Sequence, residues 1–444
     1  MKNKHSIYKI VAAGLLSVVL AAVPVCAASQ VNLQETYEIS TNSISGWPQG
    51  PEIVSDTGIV MDADTGVVLY EKGADALRYP ASIVKLMTLL VAVENSSLDA
   101  QVTFTETCLR DVTPDSANIG MVAGEIVSME ECLYAMMLAS ANEVSTQIAE
   151  FVGGTEENFI NMMNERAQQL GCVNTRFINA NGLPGEGQYT TARDMAVISQ
   201  ACFENETARK IIETQSHTMP ATNMNASERP FSSHHPMIYE GLPEYYYEGC
   251  LGGKTGNTND AGSTLVSFAK RGDITYIVVV LRAVGLPESC FDTAALFDYA
   301  YDNFEKKEIE GRGAVTVPTG TAIENLETKD IEQDGKTVRE YSFQGRYVGN
   351  APVPEPSGMP VEEVGDADEE PLYRAQEKEE TGLAQTGEAA GVKTEKTQEP
   401  AQEKEGISDL AKFLFIIMGM MLAVLVILLA ALTVKKKKRI RRTR

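Results

Sequence analysis

Residues 262–281 read Gly-Ser-Thr-Leu-Val-Ser-Phe-Ala-Lys-Arg-Gly-Asp-Ile-Thr-Tyr-Ile-Val-Val-Val-Leu, two apolar runs separated by a polar turn. Runs of this length, rich in β-branched residues and joined by a short turn, predict a β-hairpin. A second hairpin is predicted much earlier, where residues 58–62 and 67–70 flank another polar turn. The main folded region therefore begins and ends with strands.

Helical periodicity fills the sequence between the two hairpins. Apolar residues recur at intervals of three and four in residues 83–93, 129–138 and 159–170, which is typical of helices with one buried face. We predict an α+β domain over residues 50–304. It contains one antiparallel sheet flanked by helices, together with a helical subdomain.

The residues after this domain divide by composition. Short alternating segments such as Gly313–Pro318 and Val338–Phe343 predict a small all-β module over residues 305–350. Residues 351–406 are rich in Glu, Pro, Gly, Gln and Lys and almost lack aromatic residues. Such a segment buries too little apolar surface to fold, so we predict a disordered acidic stalk.

The first residues are typical of a secretory signal. Lys2 and Lys4 precede an apolar run over residues 10–25 and small residues at Ala27 and Ala28, which predicts a signal peptide over residues 1–27. The alternative is an uncleaved anchor, but the run is shorter than the ~18 residues that a membrane span requires.

The C-terminal end indicates a membrane anchor. Residues 413–434 are uncharged and almost wholly apolar, and as a helix they would measure about 33 Å, enough to cross a bilayer core of about 30 Å. Residues 435–444 include eight Lys and Arg, which predicts a basic cytoplasmic tail. We therefore expect a single-pass protein of the cell membrane with its folded domain outside. The alternative is a core helix followed by a nucleic-acid-binding tail.

The net charge of the chain limits the classes of partner that we expect. The formal net charge is −23, and because the basic tail contributes +8 and the first nine residues +3, the remainder carries −34. Such an acidic body argues against nucleic acid as a partner. The spacing of the six cysteines after residue 27 fits no metal site, and their pairing stays open.

The first candidate catalytic motif lies at the head of the first predicted helix. Tyr79-Pro-Ala-Ser82-Ile-Val-Lys85 places a hydroxyl and an amine three residues apart, on the same face of a helix. A serine becomes a good nucleophile when a base takes its proton, and a lysine can be that base if its surroundings keep it neutral. Ser267 and Lys270 have the same spacing, but within a predicted strand they would face opposite sides.

Two further motifs complete a set. Ser140-Ala-Asn142 lies between two predicted helices, although Ser40-Thr-Asn42 and Ser116-Ala-Asn118 share the pattern. Lys254-Thr255-Gly256 follows two glycines and leads into an apolar strand, where the glycine would let a substrate backbone approach a strand edge. Together and in this order, the three motifs form the active-serine pattern of penicillin-recognising enzymes.

The sequence also resembles the D-alanyl-D-alanine carboxypeptidases among the low-molecular-mass penicillin-binding proteins. The resemblance covers about residues 58–304. Besides the three motifs it rests on segments such as Gly153–Phe159, Asn181–Pro184, Tyr189–Ala196 and Ala261–Ser263.

This resemblance implies both an activity and a set of roles. Ser82 would form an acyl-enzyme with a peptidoglycan stem peptide ending in D-Ala-D-Ala, and β-lactams would be covalent inhibitors. Lys85 would be the base, and Ser140 and Asn142 would complete the proton relay and the cleft. Finally, Lys254 and Thr255 would hold the substrate carboxylate, and Gly256 would precede Asn257, whose N–H would bind the oxyanion together with that of Ser82. No metal or organic cofactor is implied.

Some positions depart from the resemblance. Gln188 and Asn257 replace histidines common in relatives, and Cys290 stands where an arginine is common. These departures affect the expected rate or substrate preference more than the class.

Other classes fit less well. A Ser-His-Asp hydrolase would have to use His217, His234 or His235, without a Gly-x-Ser-x-Gly motif, and a metal hydrolase lacks ligand spacing. A β-lactamase of the commonest class would need a deacylating glutamate that the sequence does not identify. A catalytically silent wall-binding or β-lactam-sensing protein remains the main alternative.

Overall fold

The computed structural model describes residues 31–353 apart from 32, 34, 114–115, 310–312 and 334. The predicted signal peptide, transmembrane helix and basic tail, and all but the first residues of the predicted stalk, lie outside this range. No helix within the described part of the chain is long and apolar enough to span a bilayer.

The helices predicted over residues 83–93, 129–138 and 159–170 are present, and the described residues contain others besides. In chain order the α-helices are α1 (Lys85–Asn95), α2 (Met129–Leu138), α3 (Asn142–Gly153), α4 (Glu156–Gln169), α5 (Ala192–Glu204), α6 (Glu206–Ile212) and α7 (Leu286–Asn303). Helix α1 begins two residues later than its apolar pattern, because a 3-10 turn, Ala81–Val84, precedes it. Ser128, Thr155 and Thr191 cap α2, α4 and α5 through their side chains, as expected of N-cap residues.

Within the described residues the strands form two five-stranded antiparallel sheets and two two-stranded sheets. In the main domain the strands are β1 (Thr57–Asp62), β2 (Val68–Lys72), β3 (Gln101–Thr103), β4 (Ile126–Ser128), β5 (Ser216–Met219), β6 (Arg229–Ser232), β7 (Cys250–Thr258), β8 (Gly262–Arg271) and β9 (Ile274–Ala283). In the module they are β10 (Phe304–Ile309), β11 (Gly313–Pro318), β12 (Glu327–Gln333), β13 (Lys336–Phe343) and β14 (Arg346–Pro352).

The main sheet confirms the α+β prediction and both hairpins. Its order is β2-β1-β9-β8-β7, so β1 pairs with β9, with Thr57 opposite Leu281. The module sheet has the order β10-β11-β14-β13-β12.

Both faces of the main sheet are buried, which explains its unbroken apolar runs. Ile277 and Val279 of β9 join the core beneath α1–α6. Val278 and Val280, which point the other way, join a second core with α7 and the module. Helix α1, which begins at Lys85 directly after the turn that contains Ser82, packs into the first core.

Residues 39–50 form an N-terminal strap across the two sheets. The Trp47 ring lies 5.1 Å from Phe304 and 5.9 Å from Phe343, centroid to centroid, and its Nε1 donates to Leu69 O at 2.9 Å. Asp62 of the main sheet accepts a hydrogen bond from Thr316 of the module at 2.6 Å. The module is thus joined to the main domain by buried polar and aromatic contacts.

Candidate active site

The predicted nucleophile, Ser82, lies in the 3-10 turn Ala81–Val84. Ala81 has φ +51°, a left-handed conformation that is unfavourable for alanine. Thr264 of β8 donates to Pro80 O at 3.0 Å and so ties the turn to the main sheet. Surrounding structure therefore maintains a strained backbone beside the reacting residue, as is common at active sites.

Two glycines, Gly182 and Gly256, pack closely against the backbone nitrogen of Ser82. A Cβ at Gly182, whose φ is +89°, would lie 2.0 Å from Ala81 O and 2.9 Å from Ser82 N. A Cβ at Gly256 of β7 would also lie 2.9 Å from Ser82 N. Because neither position has room for a side chain, two chain segments pack directly against the N–H group predicted to bind the oxyanion.

The predicted base, Lys85, is fully buried and has three polar neighbours. Its Nζ lies 3.0 Å from Ser82 Oγ, 2.7 Å from Asn142 Oδ1 and 2.6 Å from Asn181 O. The two amide oxygens can only accept hydrogen bonds. A neutral Lys85 therefore gives its two N–H groups to them and directs its lone pair at the Ser82 hydroxyl.

Electrostatics favour this neutral form. Burial, and then the charge of Lys254, lower the pKa of Lys85 well below its ordinary value, while Glu143 and Asp111 act in the opposite sense. An amine that loses its proton readily can accept one from a serine hydroxyl.

The second predicted motif lies where expected, between α2 and α3. Ser140 is buried and has φ +57°, and Asn142 is the first residue of α3. Asn142 N donates to Ala117 O at 2.9 Å while its side chain binds Lys85. Ser140 and Asn142 both line the cavity that contains Ser82.

The third motif leads into an apolar strand, β8, as predicted. Lys254-Thr255-Gly256 itself lies in the middle of a further strand, β7, the outermost strand of the main sheet. The sequence did not identify β7 because glycines have low strand propensity, whereas pairing with β8 decides the conformation here.

Lys254 is itself almost fully buried. Its Nζ donates to Thr255 O at 2.9 Å, and burial lowers the pKa of Lys254 to about 7. Thr255, Gly256 and Asn257 line the cavity. The strand thus presents a hydroxyl and main-chain groups to the cavity, with the buried amine of Lys254 next to them.

The cavity has a volume of about 880 Å³, large enough for a peptide end. It contains every predicted site residue except the buried Lys85 and Lys254, which lie behind its wall. Sequence reasoning did not assign several other lining residues to the site, although Ser116 lies in a Ser-x-Asn pattern and Leu183 and Pro184 lie in a segment of the resemblance. These lining residues are Ser116, Ala117, Leu183, Pro184, His234, Asp260 and Leu286.

The two adjacent histidines have different environments. His234 lines the cavity, where burial and the charges of Lys254 and Lys85 lower its pKa. His235 is buried, its Nε2 lies 2.8 Å from Ser267 Oγ, and its pKa falls to about 4. Ser267 lies in β8 and Lys270 is exposed, so this second Ser-x-x-Lys pattern is separated as predicted.

Two of the three departures lie outside the cavity. Gln188 is buried and supports the Asn181–Pro184 turn, accepting from Ile178 N at 3.2 Å and donating to Leu183 O at 3.0 Å. Cys290 is buried in the second core. Asn257 is exposed in the cavity, and of the three it is the one placed to meet a ligand.

A hydroxyl paired with a buried amine, beside a strand edge and a Ser-x-Asn turn, defines an active-serine peptidase of the penicillin-recognising type. Residues 45–285 match the family model described as D-alanyl-D-alanine carboxypeptidase. This chain belongs to that family of serine peptidases.

Similar proteins are also named D-alanyl-D-alanine carboxypeptidases. The D-alanyl-D-alanine carboxypeptidase DacF of Bacillus subtilis is 30% identical over 253 residues, which are 56% of this chain and 62% of that protein. The D-alanyl-D-alanine carboxypeptidase of Streptomyces sp. K15 is 29% identical over 260 residues and is covered to 88%. The chain thus spans less than two thirds of the Bacillus relative.

Solved structures share the fold. The crystal structure of the Streptomyces K15 DD-transpeptidase matches with a TM-score of 0.54 and 28% identity, covering 57% of this chain and 100% of that one. The carboxypeptidase DacD of Francisella tularensis matches with a TM-score of 0.56 and covers 69% of this chain. At 23% identity, the second match shows the fold alone.

Proposed function

We propose that this protein is a serine D-Ala-D-Ala carboxypeptidase that removes the terminal D-alanine from peptidoglycan stem pentapeptides. The observation that carries the proposal is the contact of Lys85 Nζ with Ser82 Oγ at 3.0 Å. Two acceptor oxygens orient that amine, and the hydroxyl opens into a peptide-sized cavity. Membership of the family and the names of its relatives support the same activity.

Acylation begins at the Ser82 hydroxyl. Its Oγ attacks the carbonyl carbon between the last two D-alanines while its proton passes to Lys85 Nζ. The resulting oxyanion is bound by the N–H groups of Ser82 and Asn257, donors placed where negative charge develops. When the intermediate collapses, the terminal D-alanine leaves with a proton relayed through Ser140, and the shortened peptide stays as an ester on Ser82.

Substrate orientation comes from β7. Protonated Lys254 and the Thr255 hydroxyl attract the terminal carboxylate, and the strand edge offers main-chain groups to the peptide backbone. Water then attacks the ester and gives a proton to Lys85. As the ester bond breaks, Lys85 returns that proton to Ser82 Oγ, which releases the tetrapeptide and the free enzyme.

The test is release of free D-alanine from a pentapeptide ending in D-Ala-D-Ala, measured with the full chain beside Ser82→Ala. We expect the variant to lose both D-alanine release and covalent labelling by fluorescent penicillin. Activity that survives the substitution would refute the assignment of Ser82. Stable labelling of the wild type without D-alanine release would favour a β-lactam sensor.

We also propose that the enzyme is exported and anchored by a helix over residues 413–434, with the catalytic domain outside the cell. The apolar length of that segment and the basic residues after it support this arrangement. Deletion of residues 413–444 should move the protein from the membrane fraction to the medium. Continued sedimentation with membranes would contradict the anchor.

A further inference from the structure

Helix α3 binds the segment of chain that precedes α2 at successive turns. Gln147 Oε1 accepts from Thr105 N at 2.8 Å, and Glu143 Oε1 accepts from Ile119 N at 2.7 Å. Between these contacts lies the 3-10 turn Cys108–Asp111. The same helix that supplies Asn142 to the active site therefore also holds Asp111.

Asp111 links this turn to the loop opposite. Its Oδ2 accepts hydrogen bonds from Thr146 Oγ1 of α3 and from Asn181 Nδ2, the latter at 3.1 Å. Its other oxygen, Oδ1, lies 3.7 Å from the guanidinium of Arg110. The Asp111 side chain is only 14% exposed, so these contacts fix the position of its carboxylate.

Both side-chain polar groups of Asn181 and its main-chain oxygen have hydrogen-bond partners. Its Nδ2 donates to Asp111 and, at 3.3 Å, to Thr146 Oγ1, and its Oδ1 accepts from Leu183 N at 2.9 Å. Its main-chain oxygen is the acceptor 2.6 Å from Lys85 Nζ. The side chain of Asn181 thus anchors the carbonyl that binds the catalytic amine.

We propose that Asp111 is a positioning residue for the Ser82–Lys85 pair, acting through Asn181. The inference rests on the proposed function and adds to it a residue that touches neither Ser82 nor the substrate cavity. Without the Asp111 contact, Asn181 O moves and one N–H of Lys85 loses its acceptor. The amine then turns to donate to Ser82 Oγ, and its lone pair no longer faces the hydroxyl proton.

The charge of Asp111 supplies a second and separable effect. The charged or titratable groups around Lys85 are Lys254 from β7, Glu143 from α3, His234 across the cavity and Asp111 itself. Asp111 raises the pKa of Lys85 against the effect of burial. Removing only its charge therefore lowers that pKa further, whereas loosening the site and admitting water would raise it.

The experiment measures the rate of Ser82 acylation by fluorescent penicillin from pH 5 to 9, with the full chain and matched variants. Asp111→Asn keeps an acceptor oxygen for Asn181 and removes the charge. We expect its plateau rate to stay within about threefold of wild type while the acid limb moves to lower pH. Asp111→Ala removes the acceptor as well, and its plateau should fall about tenfold or more, part of the loss expected for a misaligned general base.

Glu106→Ala serves as the control and should match wild type. Glu106 is an exposed acidic residue four positions before Arg110 in the same segment. Asn181→Asp places two carboxylates together and should lose activity strongly. Asp111→Asn combined with Asn181→Asp restores a donor facing an acceptor and should recover part of that loss. Thermal midpoints identify any variant that does not fold.

Three outcomes would overturn the proposal: a wild-type plateau in Asp111→Ala, an acid limb of Asp111→Asn that is unmoved or moves to higher pH, or no recovery in the double variant.

The acylation rate is measured separately from D-alanine release. A wild type that acylates but releases no D-alanine refutes the carboxypeptidase and leaves the acylation profile decisive. A wild type that is not acylated at Ser82 refutes both.

Discussion

The outermost strands β7 and β12 show two opposite ways to end a sheet. In β7 most residues are buried or half-buried, three of its nine residues are glycines, and its edge faces the cavity. In β12, which reads Glu-Thr-Lys-Asp-Ile-Glu-Gln, six of seven residues are exposed and most are charged. Charges on an edge strand block pairing with other chains. A glycine-rich strand edge, by contrast, lets a peptide backbone come close enough to form main-chain hydrogen bonds. The module edge is thus protected, whereas the β7 edge lines a cavity that a ligand can enter.

The largest effect that would sharpen this comparison is expected at Gly256 of β7. Gly256→Ala places a methyl group 2.9 Å from Ser82 N and 2.4 Å from Thr264 Oγ1, which would displace the N–H that we propose binds the oxyanion. We expect penicillin acylation to fall by a factor on the order of 10² to 10³, the usual cost of losing one such donor. Stopped-flow labelling measures this rate.

The matched control is Gly241→Ala, because a Cβ there meets nothing within 4 Å and no left-handed φ is required. Its acylation rate should equal that of wild type. Near-normal acylation of Gly256→Ala would show that packing against β7 does not hold the turn Ala81–Val84 in place.

A smaller effect is expected from the threonines of the two edges. Thr255→Val removes a hydroxyl that lines the cavity, and we expect kcat/KM for the pentapeptide to fall about ten- to a hundredfold, since a hydrogen bond to a charged group is worth roughly 1.5–3 kcal/mol. Thr328→Val makes the same change on exposed β12 and should not alter kinetics. Equal effects at both sites would break the functional contrast between the edges.

The pH dependence offers a third test. Because burial lowers the pKa of Lys254 to about 7, this residue is protonated below that pH and loses its charge above it. The binding of a substrate carboxylate should therefore weaken as pH rises, with KM increasing up to about tenfold per pH unit. Lys254→Arg, whose side chain stays charged, should flatten this limb, while Lys329→Arg on β12 should leave it unchanged. A KM that is constant from pH 6 to 9 in the wild type would remove Lys254 from carboxylate binding.

The smallest effect is expected at the protected edge. Asp330 and Arg339 form an exposed cross-strand ion pair at 2.7 Å, and such pairs contribute little to stability because water and salt screen them. Asp330→Asn should leave both the thermal midpoint and D-alanine release within experimental error. A clear drop in the thermal midpoint or in D-alanine release would show that this ion pair of β12 contributes to stability or to activity.

The parts of the fold that were predictable from sequence are those with a local signal. The two hairpins and α1, α2 and α4 follow from apolar periodicity, and the β module follows from alternation over residues 305–350. The partnership of Ser82 with Lys85 was also predictable, because a helical turn alone brings them together.

What the sequence did not reveal depends on contacts between distant residues. The Lys254-Thr255-Gly256 strand has glycines where strand propensity is weakest, so only its pairing with β8 reveals it. Asn181 and Asp111 are separated from Lys85 by long stretches of chain, and no periodicity relates them. The cavity residues His234, in a loop, and Leu286, at the start of α7, likewise reach the cavity through tertiary packing.

The N-terminal strap has a consequence for the order in which the molecule can fold. Trp47 emerges early during synthesis, yet it packs against Phe343 and beneath Arg346, which emerge about three hundred residues later. Contacts so distant along the chain slow folding, because a long loop must close before they form. Until the last module strand is complete, the strap has only part of its binding surface. The protein therefore reaches its final compact state only after nearly the whole described chain has been released. Chains that end before Arg346 should leave Trp47 more exposed and should be degraded faster by proteases.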